Sequence, residues 1–299
     1  MIRLLVVAIV LGLSLPALGE DRRTLGWGRL LNNDLLGDLQ DRWHSGSYAV
    51  SVLRGPAWSG TAPDVLRALI EYRFSGTTLT PANLTDPASD DRPYAAPLSL
   101  GVHSHVSWAG MQADLGAGLV ATGPQTGIGR FQSWLHGLLG APKPDLTDQM
   151  GNAIFPTFQA ELGRDVTLSD GVTVHPFVGA EAGVEHLLRA GGDIVIGNFG
   201  QGGLLLRDET TGQRYRGIAG AESAMSLTLG GDVAHVFGSA YLPDGTAAAA
   251  SPTRSRLRAG IAWSGAHSSA FYGVTYLAPE FESQPQGQVI GSVNLNFRF

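Results

Sequence analysis

Cysteine is absent from the 299-residue chain, and lysine occurs once, as Lys143. Without cysteine, a secreted chain of this kind cannot be a disulfide-stapled scaffold. Charge is also scarce: Asp, Glu, Lys and Arg make up 15% of the sequence, against roughly 25% in an average soluble domain. The charge that remains sums to −6, which removes the electrostatic basis for holding nucleic acid. After the first 19 residues no apolar run approaches the ~18 residues of a membrane-spanning helix.

Those first residues have their own pattern. Arg3 supplies a positive start and Leu4 to Leu15 a short apolar stretch. Pro16 and Ala17-Leu18-Gly19 then form a small-x-small cleavage site. This arrangement predicts a secretory signal peptide over 1–19, with 20–299 as a single mature domain. Glycine is abundant, at 41 residues. A secreted, glycine-rich, charge-poor chain without a membrane helix is either a soluble all-β protein or an outer-membrane barrel.

Period-two alternation favours the barrel. Leu98, Leu100, Val102, Val106 and Trp108 share one face of a run, and Ser99, Gly101, His103, His105 and Ser107 the other. Val172 to Val184 and Val289 to Phe299 alternate in the same way. Similar runs lie near 46–54, 65–75, 111–121, 154–166, 221–229, 233–241, 256–264 and 270–278. Their lengths fit the about 9–11 residues with which a tilted strand crosses a bilayer, and their second face is small and polar, as a lumen requires. Closure would also remove edge strands that lipid cannot hydrate. Short turns such as Asp165–Gly171 and longer segments such as 185–218 suggest short periplasmic and long extracellular connections. The chain ends on Phe299 within its last alternating run, a feature similar to the signal read by the outer-membrane insertion machinery. The fold class expected is therefore all-β, a transmembrane antiparallel barrel.

One segment departs from alternation. Ile128, Phe131, Leu135, Leu138 and Leu139 have helical spacing, and Gly140 and Pro142 end it. A helix near 127–139 in an extracellular loop would place Gln132 and His136 four apart on its less apolar side.

Several segments together resemble the lipid A 3′-O-deacylase family of outer-membrane barrels. They are Gly28-Arg29-Leu30-Leu31-Asn32-Asn33-Asp34 with Asp41-Arg42-Trp43-His44-Ser45-Gly46; Asp90-Asp91-Arg92-Pro93-Tyr94-Ala95; and Gly123-Pro124, Gln132 to His136, Gly140-Ala141-Pro142 and Asp148-Gln149-Met150-Gly151-Asn152. The match in order and spacing covers roughly the first half of the mature chain. The resemblance implies a twelve-stranded barrel with its site near the extracellular rim. It also implies hydrolysis of the 3′-linked acyl ester of lipid A, a requirement for calcium, and a mechanism like that of phospholipase A2.

Under that resemblance His136 is the general base, a role that a near-neutral imidazole suits. Asn33 and Asp34 are the catalytic pair that holds calcium, a hard cation suited to carboxylate and amide oxygens. Ser45 stands where the family commonly has threonine. Ser45, Gln132 and Arg92 are the candidate substrate-binding residues, Arg92 either meeting a phosphate or pairing within an Asp90-Asp91-Arg92 turn. Some members carry a lysine in the loop after the third strand, where Thr80 to Ser89 has no basic residue. Two rival readings stand beside this one. His105-Val106-Ser107 has the spacing of an outer-membrane phospholipase dyad, and His103 with His105 that of a same-face metal pair. A barrel with no catalytic role, a porin or an adhesin, is the other.

Overall fold

The computed structural model describes residues 22–221, 224–265 and 267–297. The signal segment and Phe299 lie outside the described residues.

Twelve antiparallel strands close into a barrel. In chain order they are β1 (Arg23–Asn33), β2 (Trp43–Gly55), β3 (Leu69–Thr80), β4 (Leu98–Trp108), β5 (Met111–Thr122) and β6 (Ala153–Gly163). A short extra strand, β7 (Val166–Ser169), precedes β8 (Val172–Ala182) and β9 (Glu185–Ile196). Next come a small hairpin, β10 (Leu204–Arg207) with β11 (Arg214–Ile218), then β12 (Ala224–Ser239), β13 (Thr253–Ser264), β14 (Ser268–Leu277) and β15 (Gln288–Phe297). Leu31 pairs with Val293 where β1 meets β15, and Leu162 with Val178 where β6 meets β8, so the ring has no free edge. One helix, α1 (Ile128–Leu139), interrupts the strands.

Alternation sets what each face meets. Leu100, Trp108, Tyr72, Phe74, Leu257 and Tyr276 are exposed and point outward, as a lipid-facing band demands, while Glu71, Arg73, His103, His105 and Arg256 are buried inside. At one end the strands are joined by the long segments 34–42, 81–97, 123–152, 240–252 and 278–287. Long connections identify this end as the external one.

Three expectations need correction. The runs near 221–229 and 233–241 belong to one strand, β12. Residues 185–218 are not an external loop. Glu185–Ile196 is a wall strand, and the chain leaves it at the same end as the Asp165–Gly171 turn, where the Gly197 N–H donates to the Gly171 carbonyl at 2.8 Å. From there it folds back up inside the barrel as the β10–β11 hairpin. Lastly, the inner face is not lined only with small polar groups.

The hairpin gives the lumen its own apolar core. Phe199, Leu204, Leu206, Tyr215 and Ile218 pack on Leu30, Leu53, Leu69, Val195, Ala262 and Phe271 of the wall. Inside the barrel the alternative to contact is water, so each such large side chain contributes about 1.5–3 kcal/mol on burial. Above this core lies a charged layer. Asp193 accepts from Arg207 (2.9 Å) and Arg258 (2.7 Å), Asp232 pairs with Arg189, Arg256 and Arg258, and Arg207 also reaches Glu161 (2.6 Å). Buried charges persist only when compensated in this way.

Candidate active site on the outer wall

At the external end of β1 the chain bends into a short 3-10 turn, Asp34–Leu36. Asn33 caps it. Its Oδ1 accepts from the Leu35 N–H at 3.0 Å, while its Nδ2 donates to the Ser45 carbonyl at 2.9 Å. Asp34 is 0% exposed. Its Oδ1 accepts from the Leu35 N–H (2.8 Å) and its Oδ2 from the Arg42 N–H (2.9 Å). Burial pushes its pKa up to about 8. Negative Asp41 and Asp38 add to the rise, and the two backbone donors oppose it. The turn lies over the outward face of β14 and β15: the Tyr272 hydroxyl donates to the Leu36 carbonyl (2.9 Å) and the Asp38 N–H to the Val289 carbonyl (3.1 Å). Leu35, Leu36 and Leu39 are left exposed.

Helix α1 also lies on the outside. On β3, Tyr72 and Phe74 face outward and Glu71 and Arg73 inward, so Gly76 faces outward too. The Ile128 side chain lies over Gly76. Gly127 (φ 75°) and Gly140 (φ 70°) bracket the helix in the left-handed region, which glycine adopts without strain. One face of α1, with Gly129 and Gln132, is buried, and the Gln132 Oε1 accepts from the Tyr94 hydroxyl at 2.8 Å. Phe131, Trp134, Leu138 and Leu139 are all at least 58% exposed. An apolar stripe pointing away from the protein would be costly in water and is normal in lipid.

His136 sits in the last turn, on the side of Gln132. Because Gly140 ends the helix, the chain doubles back and the Pro142 carbonyl meets His136 Nδ1 at 2.6 Å. A carbonyl only accepts, so Nδ1 carries a proton, and in the neutral ring Nε2 carries the lone pair. Nε2 faces Asp41 Oδ2 at 3.6 Å, too long for a direct hydrogen bond. Asp41 Oδ1 accepts from Ser45 Oγ at 2.5 Å. The structure thus brings Asn33, Asp34, Ser45 and His136 together around Asp41, between the helix and the barrel wall.

Beneath this lies a second cluster. His44 Nε2 meets Glu280 Oε2 at 2.6 Å, Arg92 Nη1 donates to the same oxygen at 3.1 Å, and Arg254 stands 3.8 Å from Glu280 Oε1. Arg92 is 2% exposed and turns inward to Glu280, not to Asp90 or Asp91. Trp43, between Arg42 and His44, is buried with a left-handed backbone (φ 50°) and carries the Arg42 guanidinium 4.3 Å over its ring. Such a conformation in an aromatic residue persists only where the surroundings enforce it. Ser45, Arg92 and Gln132, expected to meet substrate, are all buried with protein partners. Asp41, His44 and Glu280 were given no role from sequence. Asp41 and His44 sit in the quoted Asp41–Gly46 motif, while Glu280 lies in the 278–287 loop with no local signal.

The donor set at the turn fits a hard cation. Asn33 and Asp34 offer amide and carboxylate oxygens with lone pairs to spare, and the excess negative charge around buried Asp34 is what a divalent ion would offset. A second group of metal-ligating type lies in the lumen, where one donor atom each of Glu71, His105 and Asp114 falls within 4.8 Å of the others. There a cation already engages both carboxylates, since Arg73 Nε reaches Glu71 at 2.7 Å and Arg73 Nη2 stands 3.7 Å from Asp114. The same network gives His103 and His105 carboxylate partners. His105 Nε2 is 2.7 Å from Glu71 and His103 Nδ1 is 3.0 Å from Asp114. His105 is engaged inside the barrel, away from lipid.

The family described as outer membrane protein LpxR matches residues 5–299. The chain belongs to the LpxR family. Among solved structures, LpxR from Salmonella typhimurium superposes with a TM-score of 0.74 at 16% identity, over 92% of this chain and 100% of that one. The β domain of the Bordetella autotransporter BrkA (TM-score 0.46, 10% identity, 92% and 99% covered) and the translocator domain of NalP from Neisseria meningitidis (0.44, 13%, 99% and 97%) are more distant barrels. No curated protein matches the sequence. As a member of the LpxR family, the chain is an outer-membrane protein.

Proposed function

We propose that this LpxR-family barrel modifies lipid A, as a calcium-dependent hydrolase of its 3′-linked acyl ester. The observation that carries the reading is His136. Its proton is fixed on Nδ1 by the Pro142 carbonyl, and its free Nε2 faces the Asp34–Asp41 segment on the lipid side of the wall.

The exposed residues of α1 and of the 34–39 turn border the site with apolar surface. An acyl chain in the outer leaflet approaches along that surface without crossing water. A water beside this pair can donate to His136 Nε2, with Asp41 Oδ2 3.6 Å from the same nitrogen. His136 Nε2 takes one proton from this water as its oxygen attacks the ester carbonyl. Asp41 then stabilises the imidazolium, and His136 returns the proton to the departing sugar oxygen. The Asn33 and Asp34 oxygens would hold the calcium, which when bound would supply positive charge for the developing oxyanion. Ser45 orients Asp41, Gln132 with Tyr94 fixes the helix against the wall, and Arg92 with Glu280 holds the floor.

The test uses purified barrel, lipid A in mixed micelles, and mass spectrometry of the product. With calcium, one 3′-linked acyl group is expected to leave. Chelator or His136→Gln should abolish the loss, and re-added calcium should restore only the first. Product formed equally with chelator and with His136→Gln would sink the reading.

A further inference from the structure

The β10–β11 hairpin rises from the periplasmic end, yet its tip stops one residue from the candidate site. Its lower half is gripped by the wall. A Cβ at Gly28 would come 2.9 Å from both Leu206 Cδ1 and Tyr215 Cε2, and one at Gly26 would overlap the Gly217 carbonyl, so β1 admits the hairpin only because it carries glycine there. Midway, Gln213 Nε2 donates to the Ala259 and Val274 carbonyls at 3.2 Å, and at the turn itself Arg256 Nη1 donates to the Glu209 and Thr210 carbonyls at 2.7 and 3.0 Å.

At the tip, Asp208 Oδ2 accepts from the Thr211 N–H and hydroxyl, both at 2.7 Å. The same oxygen accepts from Asn32 Nδ2 at 3.0 Å. Asn32 Nδ2 also donates to Ser47 Oγ (2.8 Å), and Asn32 Oδ1 accepts from Ser292 Oγ (2.7 Å). Asn32, Asp208, Thr211, Ser47 and Ser292 are all buried. Every polar atom of the Asn32 amide is therefore tied to β2, β15 or the hairpin. The next residue is Asn33, which by alternation lies on the opposite face of the wall, and Asp34 follows it into the turn.

We infer that the lumenal hairpin is a positioning element for the outer-wall site: Asp208, through Asn32, fixes the strand end that presents Asn33 and Asp34. At this end β1 is paired on both edges, Asn33 with Gly46 and with Gly291, and Asn32 is the side chain that ties this paired strand end to the hairpin. The Asp208–Asn32 bond fixes the inner face at the position where the outer face has to hold a cation, and it lies within a buried network. This inference rests on the hydrolase reading for its effect on turnover, and on geometry alone for its effect on order.

The experiment compares full-length wild type, Asp208→Ala, Asp208→Asn and Gln213→Ala, all refolded in the same detergent. Gln213→Ala removes hairpin-to-wall bonds on β13 and β14 without touching Asn32. Two readouts are taken: amide hydrogen exchange of residues 33–36, and kcat and KM on lipid A with saturating calcium. Asp208→Ala is expected to speed exchange at 33–36 about tenfold and to lower kcat about tenfold with KM unchanged. Asp208→Asn, which keeps an acceptor for Asn32, should recover most of both, and Gln213→Ala should leave both near wild type. Equal losses in Asp208→Ala and Gln213→Ala, or wild-type exchange in Asp208→Ala, would overturn the inference. If wild type is itself inactive, the functional reading fails, and hydrogen exchange still decides whether Asp208 orders the turn.

Discussion

Replacing Glu280 with glutamine should destabilise the external rim more than any surface change of similar size. Glu280 is the single carboxylate shared by His44 (2.6 Å), Arg92 (3.1 Å) and Arg254 (3.8 Å). Arg254 has Glu185 at 3.0 Å as a second partner, whereas Glu280 is the only acidic group paired with Arg92 among the described residues. Glutamine keeps the shape and removes the charge, which leaves a guanidinium that is 2% exposed without its paired carboxylate. Breaking a buried pair from one side costs about 3–5 kcal/mol, or roughly two to three and a half orders of magnitude in the folding equilibrium. Urea unfolding of the barrel in lipid vesicles, read by tryptophan fluorescence, measures the difference. The pH dependence has a definite sign. Burial alone would raise the Glu280 pKa, but the positive charges of His44, Arg254 and Arg92 hold it well below the usual value of 4.5. A carboxylate lowered on folding stabilises fully above its unfolded value, and that stability is lost as pH falls through the folded value. The gap between wild type and Glu280→Gln should therefore be constant from neutral pH down to near 4.5 and close only in stronger acid. A difference below about 1 kcal/mol at neutral pH would refute the reasoning, because that is the size of an exposed pair.

Three further outcomes follow from the same geometry. Asp34→Asn should weaken calcium binding at least about tenfold in titration calorimetry; unchanged affinity would move the cation elsewhere, with Glu71, His105 and Asp114 the next group to test. Changing Phe131, Trp134 and Leu138 together to serine should lower activity on lipid A in bilayers about tenfold while sparing activity in micelles, because the stripe meets lipid and not protein; equal losses in both would place the stripe in the fold instead. In planar bilayers the barrel should carry no steady current, since the hairpin and its ion pairs block the lumen; porin-like conductance would contradict this packing.

How far the fold can be read from sequence depends on what faces the lumen. β4 and β5 alternate cleanly, and their bounds, Leu98–Trp108 and Met111–Thr122, lie within a residue of the expected runs. β9 and β1 escaped notice for one reason. Leu187 and Val195 of β9, and Leu30 of β1, are buried on the inner face beside outward Leu188, Ile194 and Leu31. Apolar residues on both faces erase the period-two pattern, and they are there because the hairpin gives the lumen an apolar core. Helix α1 was legible, yet its apolar side proved to be the outward one, which spacing cannot tell without knowing that the surroundings are lipid. At the candidate site, His136, Asn33 and Asp34 were singled out from motifs. Glu280 was not, because its partners His44 and Arg92 lie 236 and 188 residues away along the chain.

The most direct measurement is mass spectrometry of lipid A from outer membranes of a host with no other deacylase, carrying wild-type barrel or His136→Gln at equal folded amounts. Loss of the 3′-linked acyl mass in wild type, with intact lipid A in His136→Gln, is the predicted result. Intact lipid A in both, or equal loss in both, would contradict a hydrolase that works through His136.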